Sequence, residues 1–233
     1  DYAHLLRTQL GQPKAAMPVL SRILTELDPE FEPALDALIA AAEVAGDAPV
    51  LANALERLLK READPGARAD LAARLVDLYS ERARDPAALA LALEIWAHDD
   101  PDNVVPQRRV RDLPSDQRNA PRLLHALDEI ARLSDRRDER LEAERAAAEL
   151  CANELQDPDA AFERALRLAR LGVSWGEDLL RRFALQAGKL TELTEYYAET
   201  GRYEEVVDLL RQRAEREVDG ERRAELVLWA ART

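Results

Sequence analysis

The sequence predicts an all-α chain, a solenoid of antiparallel helix pairs, on three observations. First, only 22 of its 233 residues are Val, Ile or Thr, while Ala, Leu, Glu and Arg dominate. The β-branched residues suit strands, and the abundant ones are good helix formers. Second, Asp-Pro pairs fall at Asp28-Pro29, Asp64-Pro65 and Asp100-Pro101, each 36 residues from the next. Third, the chain echoes itself. "APVLANALERL" at 48–58 aligns without gaps on "APRLLHALDEI" at 120–130, an offset of 72. "RDPAALALAL" from 84 aligns on "QDPDAAFERAL" from 156 at the same offset. Residues 201–226 run parallel to 46–71, sharing Gly46/Gly201, Leu55/Leu210, Asp64/Asp219 and Leu71/Leu226. Self-similarity at such periods is the signature of stacked repeats.

Proline suits the first helical turn and glycine the residue just past the end, so these two punctuate the chain. A first helix over 2–10 closes at Gly11. Helix 13–27 opens at Pro13 and stops at Asp28-Pro29; Pro18, past its first turn, should bend or delay it. Pro33 opens 32–45, which Gly46 closes. Helix 48–62 follows, with Leu51, Leu55, Leu58 and Leu59 on one apolar stripe. Asp64-Pro65 leads into 67–83, and Asp85-Pro86 into 86–98, which stops before Asp100-Pro101. At these joints proline ends one helix cleanly, and Asp can cap the free N–H groups of the next. Residues 104–119 hold Pro106 and Pro114, so at most a short, irregular helix fits between them. Helices 120–133 and 136–155 come next, then 158–171, opened by Asp157-Pro158 and closed by Gly172. The stretch 172–200 is about ten residues too long for its unit. Either a helix is inserted or one is broken at Gly188, giving segments 175–187 and 189–199. Helices 203–217 and 221–232 complete the series. The expected division is an array over 1–172, irregular at 104–119, and its continuation over 173–233.

Composition excludes several function classes. The net charge of −13 disfavours nucleic acid and anionic membrane surfaces, which need a basic face. No apolar run approaches a bilayer span, no secretory signal opens the sequence, and a cytoplasmic location is expected. Cys151 is the only cysteine, so no disulfide or Cys-based metal site is expected. His4, His98 and His125 have no His partner at i+3 or i+4, and the glycines are isolated. Neither a catalytic constellation nor a cofactor or metal site is expected.

The 36-residue unit resembles a tetratricopeptide repeat, two antiparallel helices in about 34 residues. In 32–65 the resemblance rests on Leu35, Leu38, Ala42, Gly46-Asp47, Leu51, Leu55, Leu58 and Asp64-Pro65. In 187–220 it rests on Leu190, Leu193, Tyr197 and Gly201-Arg202-Tyr203. Asp85-Pro86 through "DDPDN" fits the second half of a unit. Ile39 and Thr194 replace a small residue, so helix contacts must adjust there. The resemblance implies a right-handed superhelix of about six units, and the echo at an offset of 72 makes the double unit its expected period. It also implies that first helices line a peptide groove. Carried over by position, the groove residues are Pro33, Asp36, Ala40 and Glu43, then Gly188, Thr191, Glu195 and Ala198. Acidic Asp36, Glu43 and Glu195 would favour a basic or mixed partner.

Two irregular stretches add candidates. Residues 104–119 concentrate Arg108, Arg109, Arg111 and Arg118, with Arg122 just beyond, as a local anion or acidic-peptide site or as a solvated loop paired with neighbouring carboxylates. Trp175, between Gly172 and Gly176, is a candidate peptide anchor, whereas Trp96 and Tyr197 occupy packing positions and Tyr196 should lie elsewhere on its helix. The expected function is a non-catalytic scaffold or adaptor for a protein or peptide partner. The alternative is a regulatory or substrate-recruiting segment of a larger enzyme. The chain opens at Asp1 rather than Met, and both ends stop inside a unit. A fragment of a longer repeat protein is therefore expected, with self-association through its open ends as the other option.

Overall fold

The computed structural model describes residues 13–117 and 119–232. The expected helix 2–10, with His4 and the turn after it, lies outside these residues, as does Arg118. The described residues form thirteen α-helices and no strand. The first seven are α1 (Pro13–Arg22), α2 (Glu32–Ala45), α3 (Ala48–Arg61), α4 (Pro65–Leu78), α5 (Pro86–Asp99), α6 (Val105–Arg111) and α7 (Ala120–Leu133). Two of them run on into single π-helical turns, α1 through Ile23–Leu27 and α4 through Tyr79–Ala83. The other six are α8 (Arg137–Asn153), α9 (Pro158–Arg170), α10 (Ser174–Ala187), α11 (Leu190–Glu199), α12 (Tyr203–Arg216) and α13 (Gly220–Arg232). No helix among the described residues is long and apolar enough to cross a membrane. The packing divides into two compact units that meet in sequence between Leu133 and Ser134.

The joints follow the expected chemistry at some Asp-Pro pairs and depart from it at others. Asp64, Asp85 and Asp157 each precede a proline at the helix start and accept a bond from a first-turn amide: Ala67 N at 2.8 Å, Ala88 N at 3.0 Å and Ala160 N at 2.9 Å. Such a cap contributes about 1 kcal/mol. Asp28 and Asp100 do not cap a helix. Residues 29–31 and 101–104 intervene before α2 and α6 begin, so both carboxylates are too early in the chain. Asp28 takes the Glu30 amide at 2.9 Å instead, and Asp100 takes the Asn103 side-chain amide at 2.8 Å. The 72-residue echo is visible in the backbone too. Arg84 and Gln156, just before their Asp-Pro pairs, are the two described non-glycine residues at positive φ, 49° and 55°.

In the first unit, consecutive helices pack against each other around one cluster running from Ala16 to Ala126. Leu35, Leu55, Leu75 and Leu93 are almost wholly buried. Each such side chain contributes on the order of 1.5–3 kcal/mol. Every second helix is joined by arginines whose partners lie 31–33 residues back. Arg74 of α4 meets Glu43 of α2 at 2.7 Å, and Arg109 of α6 meets Asp77 of α4 at 2.9 Å. This sets α2, α4 and α6 side by side. On the other layer, Arg57 and Arg61 of α3 donate to the carbonyls of Leu24 and Pro29. Arg122 and Arg132 of α7 donate to those of Ala90 and Pro101, at 2.7 and 3.3 Å. The carbonyls of Pro29 and Pro101, in equivalent Asp-Pro joints, are thus each held by an arginine at the end of an equivalent helix.

In the second unit, too, arginines join alternate helices, one to a partner 33 residues back and one to a partner 29 residues ahead. Arg182 of α10 reaches Glu149 of α8 at 3.5 Å, and Arg170 of α9 reaches Glu199 of α11 at 3.4 Å. Phe162, Phe183, Leu180 and Tyr197 fill its core. Gly188 ends α10 with φ at 70°, a left-handed turn that glycine adopts freely, and α11 starts two residues later. The overlong stretch therefore contains two helices. Gly176 is required for a different reason: a Cβ there would lie 2.9 Å from the Leu168 carbonyl carbon of α9. Tyr196 corrects the expectation from sequence. Both it and Tyr197 are buried, because α11 is covered by α10 on one side and α12 on the other. Thr194 is buried as well, its hydroxyl donating to the Leu190 carbonyl at 2.7 Å. Cys151 is buried.

Candidate functional site

The residues singled out from sequence are distributed along the two units. On α2, Asp36 is exposed and Ala40 half-buried, while Glu43 is engaged by Arg74. Pro33, one turn earlier, is exposed. The arginines of α6 diverge. Arg109 turns to Asp77 on α4, Arg111 pairs with the adjacent Asp112 at 2.8 Å, and Arg108 is half-buried. On α11, Thr191 and Glu195 are exposed and Ala198 is half-buried. Trp175 is half-buried, with the Arg145 guanidinium 5.5 Å from its ring centre. Trp96 packs partly buried against the core of the first unit.

A site that the sequence did not disclose lies beside the same α6. Two prolines confine this helix to seven residues, about 10 Å, whereas α5 and α7 on either side have fourteen, about 21 Å. The missing length opens a cleft of about 490 Å³ between α5 and α7. Gln107 and Val110 of α6 line it, and Leu93 and Ala97 of α5 add apolar surface. His98 of α5 and His125 of α7 line its sides, together with Glu94, Arg122 and Glu129. His125 thus shares a cavity with His98, 27 positions away.

The charges in the cleft are held by one another and by the backbone. Arg122 donates to the Ala90 carbonyl and lies 3.7 Å from Glu94. Glu129 accepts from Arg132 at 2.6 Å, and this bond raises the guanidinium pKa above its ordinary value. Gln107 stands apart. It is only 7% exposed, and its carboxamide makes no hydrogen bond to the described residues. No group of three or more His, Cys, Asp or Glu side chains among the described residues could hold a metal ion. The cleft is a polar recess lined by two imidazoles, two carboxylates, a guanidinium and the Gln107 amide. No protein-family model and no curated protein matches the chain.

Proposed function

We propose that the chain is a tetratricopeptide-like array, wound as a right-handed superhelix of about six units, that serves as a non-catalytic scaffold for a protein partner. The observation that carries this reading is the layer formed by α2, α4 and α6. Ion pairs Glu43–Arg74 and Asp77–Arg109 register its helices at successive steps of 31 and 32 residues. A surface built by stacking similar units is extended, and such surfaces commonly bind other proteins. Asp36 is exposed beside this row and Glu43 is half-exposed within it, so a basic or mixed segment is the complementary partner.

The test is a pull-down with the full-length protein, repeated with Asp36→Lys and Glu43→Lys together. The expected result is loss of specific partners present with the native sequence. An unchanged set of partners, with helicity and melting temperature also unchanged, excludes this layer as the binding face.

A further inference from the structure

The cleft beside α6 contains a buried group whose bonding is incomplete. Three polar side chains are buried among the described residues: Gln107, Ser134 and Thr194. Ser134 donates to Glu139 at 2.6 Å and Thr194 to the Leu190 carbonyl. Gln107 has neither its NH2 group nor its carbonyl oxygen bonded to the described protein. Buried polar groups are nearly always paired, so an orphan inside a cavity requires a reason.

The chemistry of the orphan specifies its complement. A carboxamide offers donors and an acceptor together. A carboxylate ligand would satisfy only the donors and would approach Glu94 and Glu129. A cationic ligand would satisfy only the acceptor and would approach Arg122. A neutral group with one N–H and one C=O on the same side satisfies both. One residue of an extended chain presents them so, as in the hydrogen-bonded pairs of an antiparallel sheet. A helix does not, because its N–H and C=O groups are already bonded internally.

We propose that the cleft between α5 and α7 binds an extended peptide segment, one residue of which gives its N–H to Gln107 Oε1 and accepts from Gln107 Nε2. His98 and His125 flank the segment, and Leu93, Ala97 and Val110 supply the apolar surface. The volume of about 490 Å³ falls in the range of small-ligand sites, and the cleft is open along one side, as an extended segment requires. This contact is made by α6, the last helix of the row α2, α4 and α6, in the cleft between α5 and α7, and it uses neither Asp36 nor Glu43. It rests on the scaffold reading only in taking the peptide to come from a partner protein.

The test uses the whole chain, labelled with nitrogen-15, and three small probes observed by NMR: N-acetyl-alanine N-methylamide, propionamide and acetate. The blocked alanine should shift the Gln107 side-chain amide and the α5 and α7 signals near His98 and His125, to saturation. Acetate should not saturate. Gln107→Met, which keeps the length of the side chain without its amide, should abolish the response while the melting temperature stays level or rises. The proposal is overturned if the blocked alanine does not saturate, if its shifts survive in Gln107→Met, or if propionamide alone saturates. It is also overturned if Gln107→Met melts several degrees lower, because the amide would then be structural. None of these outcomes depends on the pull-down, so either proposal can fail without the other.

Discussion

Single residues fix local geometry that neighbouring residues cannot replace. Gly176 lets α9 and α10 approach until only a hydrogen fits between them. Gly176→Ala should force the helices apart and cost about 1–3 kcal/mol, seen as a lower urea midpoint with an unchanged slope. Tyr79 reports on pH. Its burial, then its 2.6 Å bond to Glu56, raise the phenol pKa above its usual value of 10. The folded state therefore favours the neutral phenol more than the unfolded chain does. That stabilisation is complete below pH 10 and is lost as the pH rises through the folded-state value. Tyr79→Phe should lower the melting temperature at neutral pH and flatten its fall above about pH 10, which calorimetry across the alkaline range would measure. Neither effect was legible beforehand. Gly176 looked like a helix-boundary glycine, and nothing near Tyr79 in sequence pointed to Glu56, which lies on a different helix.

At the scale of the helix, much was legible because proline and glycine act locally. Pro33, Asp85-Pro86, Asp157-Pro158, Gly46 and Gly188 mark real boundaries, and the shortness of α6 follows from Pro106 and Pro114. What local chemistry did not reveal was which joints are caps. Asp85→Ala should cost about 1 kcal/mol by removing the acceptor of two amides, those of Ala87 and Ala88. Asp100→Ala should cost less, because it leaves α6 with its own start intact, and chemical denaturation of the two variants side by side would show the difference. The arginine clamps were also hidden. A residue 31–33 positions away is close only once the intervening helix has been placed, and a charged side chain on a helix face looks the same whether it meets solvent or a distant carbonyl. The cleft was hidden for the same reason. Pro106 and Pro114 predict a short helix, but the recess exists only because full-length α5 and α7 flank it.

For the molecule as a whole, nearest-neighbour packing means that damage should stay near its source. Phe183 is fully buried in the second unit. Phe183→Ala should cost about 3–5 kcal/mol there. Amide exchange should accelerate in α9 to α11 while protection in α2 to α5 is retained. Uniform loss of protection along the chain would show a single cooperative block instead. The all-helical class and the packing of consecutive helices were legible at this scale because they recur along the chain, and recurrence survives local irregularity. The place where the packing divides was not, since Leu133 and Ser134 carry no proline or glycine. The π-helical turns also give the chain room to change over generations. In the π-helical turns after α1 and α4 each bond spans five residues rather than four, so each turn holds one residue beyond what its helix needs. Loss of one codon within Ile23–Leu27 or Tyr79–Ala83 can be absorbed by reversion to an ordinary α-turn. Loss of one codon in the middle of α3 would instead rotate every following side chain of that helix by about 100°. The length of this chain is therefore editable at two defined points, and a one-residue deletion at Ser80 should keep its helicity where one at Ala54 does not.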